Sequence, residues 1–470
     1  MEGRPQEPLQ PRAEAAADLL ERLPPTSRVV VLADADTDGI AGASVIARAL
    51  HRTGRRFTVR LSRRRDAAFF DELFARPPAL LITCDLGAAE IERFQSARVP
   101  TIVLDHHEPQ KDGTGTSLVH INPHLEGEDG SKGASGAAVA WVFARTWLER
   151  HGLPADDLVP AALVGAEGDR YHGGGEERGL HTRLKHHAGA ERDDGPVGWQ
   201  EPPILREGPL AEALAMGIDP YLVRFSGDPG AVRAALEEQG VPHDRPVAAL
   251  SHPERRRLGT FLTFELLSQG ADPSHIPRLL TPAPVLPDGT PVGRLAETVD
   301  AACRQGHATE ALSALLGGPP EMERIHLYLG RYEEAIRAGL AGAPELSALP
   351  TTGPALVLRL DEGPYSGPVA DRVNAWLDVG PRPVVCHGPT GARTKVSLRA
   401  RTTPDGPHWR LDIAADGAAR AVGGIGGGHK LAAGANVPSD QTEAFLERLG
   451  KALTEQAGGE RFPSLREATA

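Results

Sequence analysis

The sequence predicts an α/β protein: a parallel-sheet N-terminal domain, a helical connecting region and a smaller α/β C-terminal domain. Three observations predict it. Short apolar runs alternate with amphipathic stretches over the first hundred residues, three of those runs end on Asp or His, and the last hundred residues resume the alternation after a long helical middle. Strands alternating with helices make right-handed crossovers, hence a parallel sheet covered on both faces.

The elements follow in order. Glu14 to Leu23 reads as a short helix, Arg28 to Ala33 as a strand, Gly39 to His51 as a helix and Phe57 to Leu61 as a strand. Pro78 precedes the strand Ala79 to Cys84, a helix spans Ala88 to Ala97, and Pro100 introduces the strand Thr101 to Leu104. Ala137 to Leu148 and Leu158 to Ala166 are apolar helices; Glu254 to Gln269 and Glu323 to Ala341 have apolar residues at helical spacing and carry no catalytic constellation. The C-terminal domain begins with the strand Ala355 to Leu360 and the helix Ser366 to Leu377, followed by Pro383 to His387, Lys395 to Ala400 and Trp409 to Ala414 as strands. The expected divisions are a tail and short helix over 1–24, a catalytic domain over 25–205, the helical connection over 206–348, the C-terminal domain over 349–458 and a tail over 459–470.

Composition bounds the function. A hydrophobic fraction of 40% and a charged fraction of 24% are those of a globular chain, and 470 residues exceed one core, so two or three domains are expected. No apolar run approaches the roughly 18 residues of a membrane span. Residues 1 to 13, interrupted by Pro5, Pro8 and Pro11, lack the apolar stretch of a signal peptide, so a cytoplasmic chain with no membrane partner is expected. Cys84, Cys303 and Cys386 are far apart, without metal or disulfide spacing, as in a reducing compartment. A net charge of −12 excludes a general nucleic-acid coat protein, whose affinity would come from neutralised phosphates. Arg52, Arg55, Arg56, Arg60, Arg63, Arg64 and Arg65 form either a local basic track or a solvated arginine face.

The strand ends carry the chemistry. The first strand runs into Asp34-Ala35-Asp36-Thr37-Asp38-Gly39, the third into Asp85-Leu86-Gly87 and the fourth into Asp105-His106-His107, while the helix from Leu158 ends in Gly165-Ala166-Glu167-Gly168-Asp169. Each alone reads as a turn or cap. Three of four strand ends bearing acid or imidazole is costly repulsion unless a cation sits among them, and open parallel sheets bind ligands outside those ends. Carboxylates and imidazoles without thiolates fit Mn2+ or Mg2+ rather than structural zinc, and two such ions roughly 3.5 to 4 Å apart bind a phosphoryl group and activate water. Farther on, the glycines between Gly423 and Gly434 let backbone N–H groups approach a phosphate, with His429 as the polar contact. Lys395 and Arg399, on one strand face, are candidate contacts to backbone phosphates. His172, His181, His186 and His187 fall in a stretch, 170–194, read as a loop over the active site rather than as metal ligands.

Taken in this order, the Asp-x-Asp-x-Asp-Gly, Asp-x-Gly, Asp-His-His and Gly-x-x-Gly-Asp motifs resemble those of the DHH phosphoesterase superfamily. Gly426-Gly427-Gly428-His429 followed by Ala432-Ala433-Gly434 resembles the signature of its DHH-associated C-terminal domain. Small-substrate members usually carry His four residues before the Asp-x-Asp pair. Leu32 stands there, and Asp34 adds a carboxylate, as in RecJ-like single-strand exonucleases. The resemblance implies that Asp36, Asp38, Asp85, His106 and Asp169 hold two divalent cations, Mn2+ by preference or Mg2+, with Asp85 as the bridge. Asp34 is then a further ligand or a base, Asp105 orients His106, and His107 meets the scissile phosphate or completes the metal shell. Gly426, Gly427, Gly428, His429, Lys395 and Arg399 are the implied substrate contacts. Ser135-Gly136 resembles a recurrent element of the same domain and equally a simple N-cap; Phe225 to Asp228, then Thr298 to Gly306, resemble the connecting segment of archaeal-type relatives.

The expected function is therefore exonucleolytic hydrolysis of single-stranded DNA, or RNA, to mononucleotides, with replication or repair proteins as partners. Two alternatives stand beside it: a small-substrate phosphodiesterase acting on oligoribonucleotides, cyclic dinucleotides or phosphoadenosine, and an inactive replication scaffold, which has no use for so complete a set of carboxylates. Two departures from the family pattern are the absence of an appended oligonucleotide-binding barrel and Arg399-Ala400 where an Arg-Ser pair is common.

Overall fold

The computed structural model describes residues 7–169, 179–189, 195–317, 319–343, 350–403 and 406–458; His172 and the expected tail over 459–470 lie outside them. Its contacts divide the chain into one unit made of Met1–Gln200 with Ala283–Leu329 and a second made of Glu201–Pro282 with Gly330–Ala470.

In the first unit α1 (Gln10–Glu21) precedes β1 (Val29–Ala33), α2 (Thr37–Arg52), β2 (Phe57–Leu61), α3 (Ala67–Phe74), β3 (Leu80–Cys84), α4 (Ile91–Ala97), β4 (Thr101–Leu104) and β5 (Leu118–Ile121). The strands pair in parallel in the order β2-β1-β3-β4-β5. β1, β3, β4 and β5 are buried throughout, because helices cover both faces, and so they read as continuous apolar runs. Alternate residues serve opposite faces: Val29 and Val31 join one core, Val30 and Leu32 the other. After α5 (Gly130–Gly133) the first core continues into α6 (Gly136–Arg150) and α7 (Val159–Asp169), with Trp141, Phe143 and Trp147 at its centre. The second is closed by Phe69, Phe70 and Phe94 of α3 and α4. Strand order reverses between β1 and β3, which opens a crevice at their carboxyl ends.

After α8 (Leu180–His187) and β6 (Gly198–Gln200) the chain enters the second unit with α9 (Leu210–Ala215), α10 (Pro229–Glu238), α11 (His252–Ser268) and α12 (Pro277–Leu280). It returns through β7 (Ala283–Val285), α13 (Val292–Arg304) and α14 (Ala308–Leu316), whose Val292, Leu295, Val299 and Leu312 complete the first unit's larger core. The helix α15 (Pro319–Ala341) contains the second crossing point.

The second unit's sheet comes from β8 (Thr351–Thr352), β9 (Ala355–Arg359), β10 (Val384–Thr390), β11 (Arg393–Arg399), β12 (Ile425–Gly428) and β13 (Ala432–Pro438), in the order β12-β13-β11-β10-β9-β8. Only β9 and β10 are parallel. Around it lie α16 (Ser366–Trp376), α17 (Leu411–Arg420) and α18 (Thr442–Gln456). The strand expected over Trp409 to Ala414 is corrected here: α17 occupies that stretch. Leu411, Ala414, Ala415, Ala418 and Ala419 are buried at helical spacing, and alanine is the strongest helix former. Among the described residues no helix is long and apolar enough to cross a membrane, and the three cysteines are buried free thiols.

Candidate metal centre

Three strand ends and three helix ends meet at the crevice between β1 and β3. Asp36 caps α2 by accepting the Gly39 N–H at 3.0 Å, which turns the chain so that Asp38 enters the first helical turn. Asp85 follows β3 in the left-handed region, φ 58°, a costly conformation for a residue other than glycine and one that clusters at functional sites. Asp105, His106 and His107 follow β4, and Asp169 is the last residue of α7.

The N-terminus of α6 is built against two of these acids. Asp38 Oδ2 accepts the Gly136 N–H at 2.5 Å and Oδ1 the Ala137 N–H at 2.8 Å, so the positive end of the helix holds the carboxylate. A Cβ on Gly136 would lie 2.5 Å from Asp85 Cβ; only glycine lets α6 approach so closely. Ser135 caps the same helix through the Ala138 N–H, so the Ser-Gly element is a cap whose next two amides hold a carboxylate.

His106 is 2% exposed. Its Nδ1 lies 3.0 Å from the Gly130 carbonyl, which can only accept, so Nδ1 carries a proton and Nε2 is the ring atom turned toward the acids. That Nε2 is 3.3 Å from Asp85 Oδ1 and 3.9 Å from Asp38 Oδ2, and Asp169 Oδ2 is 3.7 Å from Nδ1. Asp105 does something other than expected. Its Oδ1 takes the His107 Nδ1–H at 2.7 Å and the His106 backbone N–H at 2.8 Å; the Gly130 carbonyl orients the His106 ring. Asp105 therefore positions His107, whose side chain is 44% exposed, while its Oδ2 accepts the Ala88 N–H.

Ligand atoms fall into three groups within 4.8 Å: Asp34, Asp36 and Asp85; Asp85, His106 and His107; Asp38, His106 and Asp169. Asp85 and His106 each belong to two. Burial first, then Asp38 and Asp36, pushes Asp85 well above the usual carboxylate range; burial and Asp169 take Asp38 to about 7; burial and Asp36 take Asp34 to about 6. Burial alone would lower His106 and His107, but carboxylates, Asp169 and Asp38 for one and Asp105 for the other, hold both at about 9. Asp85 Oδ1 is buried and makes no hydrogen bond. A buried carboxylate oxygen without a bond, among acids that repel one another, fits a divalent cation and is expensive without one.

Asp34 is ion-paired with Arg65 at 2.8 Å. Most of the other arginines of the suspected basic track serve carbonyls or carboxylates of the fold: Arg52 pairs with Asp157, Arg60 with Glu72, Arg64 with Asp66, and Arg63 bonds the Ala35 and Cys303 carbonyls. His181 and His187 belong to α8, and the His187 ring packs edge-on against Trp141 at 5.0 Å, so the described part of the expected loop is helix packed on α6.

The C-terminal candidates lie in the second unit. Gly426, Gly427 and Gly428 form the edge strand β12, and the turn after it is closed by the His429 N–H on the Ala432 carbonyl at 2.8 Å. A Cβ on Gly426 would meet the Ala415 carbonyl at 2.4 Å, whereas Gly427 has nothing within 4 Å, so packing on α17 requires the first glycine and the second faces open space. Lys395 is half-buried on β11. Arg399 corrects an expectation: it is buried, bonded to Asp371 through Nε and Nη2 and to the Leu398 carbonyl, so its charge is neutralised inside the unit.

Three contributors had escaped sequence reading: the Gly130 carbonyl, Arg65, and Asn122, which is fully buried and donates from Nδ2 to the His107 carbonyl at 2.9 Å. Only Arg65 carried a signal, as one of the clustered arginines.

The DHH family N-terminal domain matches residues 28–165 and the DHHA1 domain residues 354–455. An uncharacterized protein of Methanocaldococcus jannaschii is 23% identical over 434 residues, 91% of this chain and 93% of the relative. The single-stranded-DNA-specific exonuclease RecJ of Thermus thermophilus is 31% identical over 174 residues, 34% of this chain and 25% of that protein. The crystal structure of the Thermus protein with Mn2+ superimposes with a TM-score of 0.57 at 22% identity, covering 98% of this chain and 56% of that one; CDC45 from Entamoeba histolytica does so at 0.62 and 11%, covering 95% and 97%. Both likenesses are of fold.

Proposed function

Because the chain belongs to the DHH superfamily, with the DHH N-terminal and DHHA1 domains in one polypeptide, we propose that it is a divalent-cation-dependent phosphodiesterase that removes mononucleotides from single-stranded DNA or RNA. The observation that carries this reading is Asp85, whose buried Oδ1 lacks a hydrogen bond and whose carboxylate belongs to two of the three ligand groups. The name of the Thermus relative, and the Mn2+ in its structure, support the substrate and the metal.

Asp36, Asp38, Asp85, His106 and Asp169 would hold two cations, with Asp34 beside them. Bound there, the cations would neutralise phosphoryl charge and acidify water. The chain's own groups do the rest. The Gly130 carbonyl fixes the orientation of the His106 ring, and the α6 amides fix that of Asp38. Asp105 keeps His107 protonated near neutrality and occupies its Nδ1–H, leaving the Nε2–H to donate to a phosphate oxygen.

End-labelled DNA and RNA oligonucleotides of graded length, incubated with Mn2+, test the proposal. Stepwise mononucleotide release is expected, abolished by chelator and by Asp85→Ala or Asp36→Ala, and falling as salt screens phosphate contacts. Cleavage undiminished in excess chelator would reject it. The burial of Arg399 favours a second reading, a small-substrate phosphodiesterase, since it removes one expected contact to a long strand. Dinucleotides turning over far faster than long strands would select that reading.

A further inference from the structure

The second unit carries an apolar groove of about 530 Å³ between α11, the segment 201–203 and Leu280 of α12. Its α11 wall is a stripe at helical spacing, from Arg256 through Thr260 and Phe264 to Leu267. Phe264 is 72% exposed, Leu267 47% and Leu280 39%. Of the seven large apolar side chains exposed among the described residues, three therefore line this one groove. Gly259 lies behind it, where a Cβ would come within 3.3 Å of Leu280 Cδ2, and the opposite wall holds Pro202 and Pro203, which have no N–H to hydrate. Exposed apolar side chains gathered in one groove with a polar rim are the arrangement into which an amphipathic segment docks.

The rim identifies the partner. His252, Arg255 and Arg256 stand there against a single acid, Glu201, in a chain whose net charge is −12. Arg255 donates Nη2 to the Ala248 carbonyl at 2.8 Å, which holds its guanidinium at the groove's wall. We propose that the groove docks a short acidic amphipathic segment of a partner protein, with apolar side chains between Phe264 and Leu280 and carboxylates on Arg255 and Arg256. A nucleic-acid strand fits less well, because one phenyl ring among prolines and leucines offers no succession of stacking platforms.

The test selects a displayed library of random twelve-residue peptides on the whole chain, then measures the enriched peptides by fluorescence anisotropy. Enriched peptides should combine Asp or Glu with Leu, Ile or Phe. Phe264→Ser and Arg256→Glu should each weaken them at least tenfold, binding should weaken with salt, and both variants should retain hydrolytic activity. Failure to enrich any peptide, enrichment of basic peptides, or binding indifferent to Phe264→Ser would overturn the proposal. So would displacement of the peptides by a single-stranded oligonucleotide, or a concentration-dependent dimer in sedimentation that Phe264→Ser abolishes.

Discussion

His106 Nε2 and Asp85 Oδ1 lie 3.3 Å apart at the heart of the crevice, and that oxygen makes no hydrogen bond. Asp85→Asn replaces a buried carboxyl crowded by other acids with a neutral amide and puts at φ 58° a residue that tolerates that conformation better. The variant should therefore be more stable than wild type in chelator, by about 1 to 3 kcal/mol, and inactive; denaturant melts with and without Mn2+ check both. A second residue, His120 on β5, is fully buried, and burial takes it down to about 4 from its usual 6.5. As pH falls below 6.5 the unfolded chain binds this proton first, so stability is intact above that value and declines between 6.5 and about 4. The loss should reach about 3 kcal/mol, and His120→Leu should flatten that part of the stability-versus-pH curve. At this scale the sequence was legible wherever a side chain carried its own chemistry: all eight acidic and imidazole candidates of the first unit meet at the crevice. It was silent where a backbone group acts, as at the Gly130 carbonyl, and it misassigned Asp105, because two adjacent histidines give no hint which ring the carboxylate reaches.

Among the elements, α6 governs the centre through its first turn. Gly136→Ala would bring a methyl group within 2.5 Å of Asp85 Cβ, so the helix must retreat from Asp85 and release Asp38. The fold should survive, judged by circular dichroism, while Mn2+ affinity falls at least tenfold in calorimetry; unchanged affinity would show that the α6 amides do not position the acids. β1, β3 and β4 were readable as strands because burial on both faces leaves an unbroken apolar run. The helix α17 was misread because Trp409 to Ala414 is too short a window to separate alternation from helical spacing, and Ala418 and Ala419, which decide the matter, lie beyond it. β5 went unnoticed since it is four residues long with a histidine inside.

For the molecule as a whole, the two units make different demands on a cation. Among the described residues the ligand groups all belong to the first, so Mn2+ at 100 times its Kd should raise that unit's stability by about 2.7 kcal/mol and leave the second unit's unchanged. Scanning calorimetry with and without Mn2+ reads this directly, and an equal shift of all unfolding signals would mean that the cation acts elsewhere too. The first unit is also discontinuous: α13 and α14, which finish its larger core, follow residues 201–282 of the other unit. On the ribosome, at about 5 to 20 residues per second, the intervening stretch of roughly 80 residues delays them by about 4 to 16 s. During that interval the nascent sheet and α2, α6 and α7 wait with an apolar flank bare. Vectorial synthesis thus gives this fold a window of vulnerability that closes only when residues 283–329 have followed the intervening stretch off the ribosome.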